Sequence, residues 1–392
     1  MRILRSDRSL LAEWWFTFDR VLLAAILALV LAGIVLSFAA SPAVAVRRGL
    51  PAFYYAERHI MFAALGVFVM IAVSLLSPRA IRRLALILFA GSIAAMVLVL
   101  MTGDQINGAR RWLRLAGFSL QPSEFAKPAF AVLCAWAFAE SERRNDVPAL
   151  PVAALFLLVF AGLLIMQPDV GQTILIGAVW TTMFVLTGRS LLWGVGLAGV
   201  GAGGLGIAYF TLPYVQQRFD RFFSGGPESH SQLARAFQSF QEGGLFGRGP
   251  GEGTIKTILP DAHTDFPFAV VGEEYGAIAC LVLEVLFAVV VLRPLARAVV
   301  ESDAFIRHAT TALALMIGLQ ALINMSVSIG LVPAKGMTLP FISAGGSSML
   351  AISISCGMLI ALTRRRADRA RLKSPRLRDN AAAGLQRLHS RI

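Results

Sequence analysis

The 392-residue chain is 57% hydrophobic and only 15% charged. Soluble globular domains carry about 25% charged residues, so this composition excludes a protein whose surface is mostly in water. The net charge of +13 lies mainly in loops and at the C-terminus, without a recognisable nucleic-acid motif. Topology signals and anionic lipid headgroups explain that charge better than nucleic acid does. All three cysteines lie in apolar runs, which argues against a disulfide framework.

Apolar runs of bilayer length recur along the chain. A spanning helix needs about 20 mostly apolar residues, and the run Val21–Ala40 is long enough to be a retained first helix rather than a signal peptide. The sequence predicts an all-α integral membrane protein with about ten transmembrane helices. The predicted spans are 20–40, 58–77, 83–101, 123–140, 149–167, 170–188, 190–213, 266–292, 307–331 and 341–363.

The distribution of Lys and Arg predicts the orientation of these spans. The basic tail 364–392 and the basic N-terminal segment 1–19 favour a cytoplasmic location for both termini. The polytopic membrane domain then covers 20–363. Its longest loop, 214–265, joins helices seven and eight on the external side, and long loops of this kind are usually functional.

A second external segment, 102–122, carries Arg110, Arg111 and Trp112. Arginines on the outer face oppose the usual charge bias, which points either to phosphate binding or to headgroup snorkelling. Ser123 and Glu124 resemble an N-cap and a first-turn acid. Lys127 lies about one helical turn into the membrane, so we expect a carboxylate partner for it.

The long loop is rich in glycine, above all at Gly243-Gly244 and over Gly247–Gly253, with Lys256 following. Successive glycines let backbone N–H groups approach an anion closely. A plain glycine-rich turn explains the pattern equally well. The sequence leaves both interpretations open.

The end of this loop and the next predicted span carry Asp265, Glu273 and Glu274. Asp265, Ala269 and Glu273 would share one helix face. Asp265 also stands where an N-cap belongs, with Pro267 in the first turn. For Glu273 and Glu274 a structural ion pair is the favoured interpretation. The Gln167–Asp169 segment is expected to be a short turn.

Six strings occur in order along the chain: NGARRW, QPSEFAK, QPDVGQ, GRGPGEG, LPDAHTDFPFAVVGEE and LVPAKGMTLPFISAGGSS. Together they resemble the SEDS family (shape, elongation, division and sporulation). The last string contains Lys335-Gly336, which is more similar to the division member than to the elongation member. Ser231, Pro267 and Ala344 depart from the usual family residues.

The resemblance implies an inverting peptidoglycan glycosyltransferase that polymerises lipid II outside the cytoplasmic membrane, with Asp265 as its catalytic residue. It also implies a class B penicillin-binding protein as partner, together with other division proteins. The chemistry leaves open a divalent cation, Mg or Mn. A lipid II flippase, a noncatalytic division scaffold and an elongation polymerase are the alternatives. The residues expected to contact substrate are Arg110, Arg111, Trp112, Lys127, Arg218, Gln232, Gly249, Lys256, His263, Thr264, Glu273, Lys335 and Ser343.

Overall fold

The computed structural model describes residues 10–106, 109–115, 118–144, 146–223, 232–259, 262–333 and 336–364. Most of these residues are helical. The α-helices are α1 (Leu10–Thr17), α2 (Arg20–Ala45), α3 (Tyr54–Ser74), α4 (Pro78–Thr102), α5 (Pro122–Arg143), α6 (Ala149–Met166), α7 (Val170–Leu186), α8 (Leu191–Thr211), α9 (Pro213–Phe223), α10 (Gln232–Gly243), α11 (Pro267–Val299), α12 (Ala304–Ser328) and α13 (Gly346–Leu362).

Seven of the described helices are long and apolar enough to cross a bilayer, namely α2, α3, α4, α6, α8, α11 and α12. The chain is therefore a multi-pass membrane protein, as its composition predicts. Two further apolar helices, α7 and α13, are shorter. Each predicted span overlaps one helix of the structure, but the total of about ten spans stays a prediction.

The all-α prediction is wrong for the segment between α4 and α5, which forms two small antiparallel hairpins. In the first, β1 (Gln105–Ile106) pairs with β2 (Ala109–Arg110), and in the second, β3 (Leu113–Leu115) pairs with β4 (Phe118–Leu120). The sequence signal was the dipeptide Asn107-Gly108, which is typical of hairpin turns and lies outside the described residues.

Segment 214–265 is also more than a loop. Helices α9 and α10 and a 3-10 turn at Ile255–Thr257 lie within it or at its edge. Both helices are strongly amphipathic, which is typical of helices that lie along a surface rather than across a membrane. A search for 20-residue apolar runs overlooks elements of this kind.

Long connections gather at one end of the bundle, which we call the loop end. It carries the described parts of the long connections 46–53, 103–121, 212–266 and 329–345, and also the short turn 167–169, because successive helices run in opposite directions. Helices α5 and α12 form the centre: α5 buries both apolar and polar residues, and most of α12 is enclosed. Helix α8 lies at the periphery, with only Gly194 buried.

The opposite end is held by charged residues of α5 and α12. Glu142 accepts a hydrogen bond from Arg307 at 2.8 Å, and its other oxygen lies 2.6 Å from His308 Nε2. Arg143 pairs with Asp303 at 3.5 Å. These contacts fix the two central helices against each other at the end away from the long connections.

The structure separates into two compact units. The larger comprises residues 20–363 and contains all the helices from α2 to α13. Of the described residues, the smaller contains 10–19 and Arg364. Within it, Arg364 donates to Thr17 Oγ1 at 3.0 Å and to Glu13 Oε1 at 3.4 Å.

Candidate functional site

Asp265 lies in the turn that precedes α11 at the loop end. Helix α11 begins at Pro267 and its N-cap position is Phe266. The interpretation of Asp265 as the N-cap is therefore wrong by one residue, and its carboxyl group is placed before the helix. Pro267 occupies the first turn, as the sequence predicts. Asp265 is half-buried.

The backbone around Asp265 is fixed by hydrogen bonds from outside its own segment. Three successive carbonyls, those of residues 263–265, each accept a hydrogen bond from α12 or from the segment that precedes α13. Such anchoring fixes the backbone from which the Asp265 side chain projects. The donors are Ala344 N to His263 O at 2.8 Å, Ser343 Oγ to Thr264 O at 2.6 Å, and Asn324 Nδ2 to Asp265 O at 3.0 Å.

Asn324 also binds a second segment, the one that contains Met337, beside Asp265. Its amide donates to Met337 O at 2.6 Å as well as to Asp265 O. Gly336 lies next to Met337 with φ +62°, and a side-chain carbon placed on it would lie 3.8 Å from Asp265 Oδ2. The carboxyl group therefore faces Gly336. The neighbouring Lys335, predicted to contact substrate, lies outside the described residues.

A series of hydrogen-bonded, buried polar side chains on α5 and α12 extends to the segment beside Asp265. Lys127 lies 2.9 Å from both Glu124 oxygens and donates to Gln320 Oε1 at 2.9 Å. Gln320 in turn donates to Thr338 O at 3.0 Å. Lys127 and Glu124 are almost fully buried. The predicted carboxylate partner of Lys127 is confirmed, and its location links α5 to the segment beside Asp265.

The start of α5 differs from the sequence interpretation. Its N-cap position is Gln121, with Pro122 in the first turn, so the prediction of Ser123 as the N-cap is wrong by two residues. Glu124 is in the first turn, as expected. Its carboxylate accepts from Gln172 Nε2 at 2.7 Å, which extends the buried polar chain to α7.

Arg111 lies at the α7 end of this series of buried polar side chains. It pairs with Asp169 at 3.5 Å, donates to Gln167 O at 2.9 Å and also donates to Pro168 O. Residues 167–169 form the short turn that the sequence predicts, and Asp169 caps α7 by accepting from Gln172 N. Burial raises the pKa of Asp169, and the Arg111 charge partly opposes this rise. Arg111 thus supports the fold at this turn.

Arg110 is exposed and donates to Leu100 O at 3.2 Å. Trp112 is partly buried beside it. Of the predicted outer cations, Arg110 is therefore the most accessible described one. Arg218 belongs to α9, but its side chain lies outside the described residues. Gln232 begins α10 and is partly buried.

The glycine-rich segment packs against a break in α11. Gly276 has φ +76° and ψ −178° within that helix. The carbonyls of Glu273 and Glu274 accept from the N–H groups of Arg248 and Gly249 at 2.9 and 3.0 Å. Ala277 N donates to Gly244 O at 2.9 Å. The glycine N–H group at 249 is therefore used for the fold, which favours the turn interpretation over an anion site.

Close backbone approach explains the glycines themselves. Side-chain carbons at Gly243, Gly247 and Gly276 would overlap backbone atoms of the facing segment. Helix breaks leave unpaired carbonyls that are costly in a membrane protein unless another group satisfies them. Residues 243–249 supply those partners, so this segment and the part of α11 at the loop end form one packed unit.

Glu273, Glu274 and Lys256 are buried in the same unit. Glu273 accepts from the backbone N–H groups of Ile255 and Lys256 at 2.6 and 2.9 Å. Lys256 Nζ pairs with Glu274. The favoured ion-pair interpretation is confirmed for Glu274, whereas Glu273 instead binds the N-terminus of the 3-10 turn.

His263 lies on the other flank of the Asp265 turn. It is buried, and its ring centroid lies 4.8 Å from that of Tyr55 at the start of α3. A small cavity between α2 and α11 opens beside these rings and is lined in part by Ser37 and Ser41. The sequence analysis singled out neither Tyr55 nor Asn324 and Gln320, since each is a lone polar residue in or beside an apolar run.

Among the described residues, no group of three or more His, Cys, Asp or Glu side chains is arranged to hold a metal ion. The residues around Asp265 supply one carboxylate, backbone carbonyls and amides. Mg²⁺ is usually held by one or two carboxylates together with substrate phosphates, so a divalent cation at this site stays a prediction.

The fold and the site define a multi-pass membrane protein with an anchored carboxyl group beside a buried polar network at the loop end. The FTSW_RODA_SPOVE family model, described as cell cycle protein, matches residues 19–368. The chain belongs to this family, the SEDS family of the sequence resemblance.

Two relatives illustrate the similarity. A probable peptidoglycan glycosyltransferase FtsW of Caulobacter vibrioides (strain NA1000 / CB15N) is 47% identical over 363 residues, which are 92% of this chain and 93% of that protein. One from Trichlorobacter lovleyi is 34% identical, covering 88% of this chain and 93% of that protein.

Solved structures share the fold. A chain from a peptidoglycan synthase complex that coordinates polymerization and crosslinking superimposes with a TM-score of 0.70 and is 27% identical, covering 88% of this chain and 97% of its own. The rod shape determining protein RodA of Thermus thermophilus gives a TM-score of 0.65 at 26% identity, with 90% and 99% coverage.

Proposed function

We propose that this chain is a peptidoglycan glycosyltransferase that polymerises lipid II into glycan strands for septal cell-wall synthesis. The single observation that carries the proposal is the anchored Asp265. Its carbonyl and the two before it are hydrogen-bonded to α12 and to residues 343–344. Similarity to relatives named as FtsW glycosyltransferases supports the same activity.

The reaction joins the free sugar hydroxyl of one substrate to the anomeric carbon of another. The hydroxyl oxygen forms the new glycosidic bond as the bond from that carbon to the pyrophosphate oxygen breaks. The departing pyrophosphate takes the electron pair, and the Asp265 carboxylate accepts the hydroxyl proton. A single displacement of this kind inverts the anomeric centre. Cations such as Arg110 and Lys335 stabilise the leaving pyrophosphate.

The buried residues Lys127, Lys256 and Glu273 act differently in this proposal from the exposed ones. Lys127 and Lys256 are paired with carboxylates, and Glu273 accepts two backbone N–H groups. All three therefore support the site rather than bind the substrate directly. Buried pairs of this kind fix helix positions at a cost in desolvation. The direct contacts are then left to Arg110, His263, Lys335 and the Asp265 turn.

A lipid II flippase is the alternative from another class. A translocation path needs polar groups that continue across the membrane. The buried polar chain of α5 extends from Glu124 to Lys127, and the buried residues 128–139 that follow are apolar. On α5 the buried polar residues are therefore confined to the loop end, where the proposed chemistry takes place. An elongation polymerase differs in its cellular role rather than in its chemistry.

The external location of the loop end, the cytoplasmic location of both termini and placement at the division septum in the inner membrane belong to the same proposal. Basic residues at 364–392 support a cytoplasmic C-terminus. A reporter fused after Thr363 that is active only outside the membrane would contradict this orientation.

The proposed partner is a class B penicillin-binding protein that crosslinks the new strand. One similar solved chain comes from a peptidoglycan synthase complex. Exposed apolar side chains at the loop end, Phe246 and Leu245 at 78% and 64% exposure, would suit a protein partner. Other division proteins are further partners in this proposal, and a divalent cation would bind the pyrophosphate oxygens of the substrate.

Polymer formation from labelled lipid II by the purified chain with its partner tests the proposal. Asp265→Asn is expected to fold and to retain its partner but to make no glycan, because the amide cannot accept the hydroxyl proton. The matched control is Asp303→Asn. Asp303 is the N-cap of α12 at the opposite end of the bundle, and the protein with this substitution should polymerise lipid II normally. Near-normal product from Asp265→Asn would contradict the assignment of the base.

A further inference from the structure

Arg48 and Tyr55 form a fixed pair at the loop end, on the connection between α2 and α3. Arg48 ends the 3-10 turn Val46–Arg48. Its Nη1 donates to Tyr55 Oη at 2.8 Å, and its guanidinium carbon lies 5.8 Å from the ring centroid. The Arg48 side chain is exposed, and none of the described carboxylates lies within ion-pair distance of it. Its positive charge is held in place without a described counter-charge.

The position of Tyr55 is set by a buried residue of α2. Ser41 is 1% exposed. Its hydroxyl accepts from Tyr55 N at 3.2 Å and from Ala56 N at 3.3 Å, and it donates to Ala52 O at 2.8 Å. Ser41 thereby satisfies two N–H groups at the start of α3 that the helix itself leaves unpaired. Tyr55, and Arg48 with it, is held on a rigid base.

The pair is connected to the Asp265 turn through His263. The rings of Tyr55 and His263 lie 4.8 Å apart at 46°. His263 precedes Asp265 by two residues, and its carbonyl is anchored by Ala344 N. The network of Lys127 and Gln320 reaches the site through α5 and α12, whereas this pair reaches it from α2 and α3.

We propose that Arg48 and Tyr55 form a subsite for an anionic group, a phosphate or a carboxylate, on the substrate that supplies the sugar hydroxyl and keeps its own pyrophosphate. The inference rests on the proposed function, since polymerisation brings two anionic substrates together at Asp265. The guanidinium fork matches phosphate and carboxylate geometry. Arg110 lies on a different connection, between α4 and α5.

Rates measured against lipid II concentration test this subsite in the complex of the chain with its partner. Loss of an exposed charge-assisted contact should raise the half-saturating concentration about five- to tenfold in Arg48→Gln. Tyr55→Phe keeps the ring on His263 and loses only the hydroxyl, so a rise of about two- to threefold is expected. The maximal rate should stay within about twofold in both, because neither residue contacts the reacting atoms.

Arg83→Gln is the matched control, since Arg83 is an exposed arginine at the opposite end of the bundle. A headgroup contact without a role in substrate binding would leave all three variants like the wild type, which overturns the proposal. A fall in maximal rate at unchanged half-saturation also overturns it. If Tyr55→Phe does not fold, Arg48→Gln decides alone, because Arg48 is exposed.

Competition experiments distinguish the two sources of the anion. Undecaprenyl pyrophosphate carries phosphate without sugar, and a soluble disaccharide-peptide carries carboxylates without phosphate. If one competitor inhibits polymerisation less strongly in Arg48→Gln than in the wild type, its anionic group is the one that Arg48 binds. Unchanged inhibition by both competitors overturns the subsite. Absence of polymer from the wild-type complex would instead contradict the proposed function, so the two failures are separable.

Discussion

The side-chain amide of Asn324 donates to the backbone carbonyl of Asp265 at 3.0 Å, across 59 residues of sequence. The same amide donates to Met337 O at 2.6 Å. One buried side chain of α12 therefore joins the turn that carries the carboxyl group to the segment that faces it. Both acceptors are carbonyls, so the amide must present its nitrogen to them.

Asn324→Ala should reduce the maximal polymerisation rate about 100-fold, because a small misplacement of a reacting group is costly. The half-saturating lipid II concentration should change little, since Asp265 acts in the chemical step. Ser328→Ala is the matched control: Ser328 is buried on the same helix and donates within it, to Asn324 O at 3.1 Å. A normal maximal rate in a folded Asn324→Ala variant would show that the anchor is dispensable.

Lys127→Met should destabilise the protein by about 3–5 kcal/mol, because it leaves the buried Glu124 charge without its cation. Glu124→Gln in the same chain should restore most of the loss, since neither charge then remains. Thermal unfolding in detergent of the single and double variants measures both effects. Arg144→Gln, which breaks a largely exposed pair with Glu140, is the control and should cost below about 1 kcal/mol. Equal stability of the single and double Lys127 variants would refute the coupling.

Arg111→Gln should destabilise the protein most at neutral pH. Burial raises the pKa of Asp169, and Arg111 limits the rise. A carboxyl group with a raised folded pKa stabilises the fold below its unfolded pKa, and that contribution is lost as pH rises through the folded pKa. Without Arg111 the pKa of Asp169 in the folded protein rises further. Protonation of Asp169 as pH falls therefore removes part of the stability loss caused by Arg111→Gln.

Melting temperatures of the wild type and Arg111→Gln at about pH 7 and about pH 5 test whether the destabilisation decreases as pH falls. The difference between the two proteins should narrow at the lower pH. Arg114→Gln is the control, because the Arg114–Asp104 pair is exposed on both sides and should give a small, constant difference. A gap that widens on acidification would contradict the role of Asp169.

Gly276→Ala should lower the yield of folded protein, because φ is +76° and a side-chain carbon would overlap Leu245 O. Backbone strain of this kind costs about 1–3 kcal/mol, and the overlap adds to it. Gly204→Ala on α8 is the control, since nothing lies within 4 Å of that position. The control should be neutral or slightly stabilising. Comparable yields of the two variants would argue against a required break in α11.

Much of this protein can be predicted from its sequence. Hydropathy places the helices because bilayer thickness fixes the length of an apolar run. The carboxylate partner of Lys127 follows from the cost of a lone charge in the membrane. Asp265 is marked by its motif and by Pro267 after it. These signals are local, so a short window of sequence contains them.

The tertiary structure alone decided which distant groups meet. Lys127 pairs with Gln320 across 193 residues, and the glycines of 243–249 complete hydrogen bonds for the break at Gly276. No local pattern predicts these contacts, because a buried polar group or an unpaired carbonyl requires a partner without specifying where in the chain that partner lies. Helix packing makes that choice, and it is what fixes the backbone of Asp265.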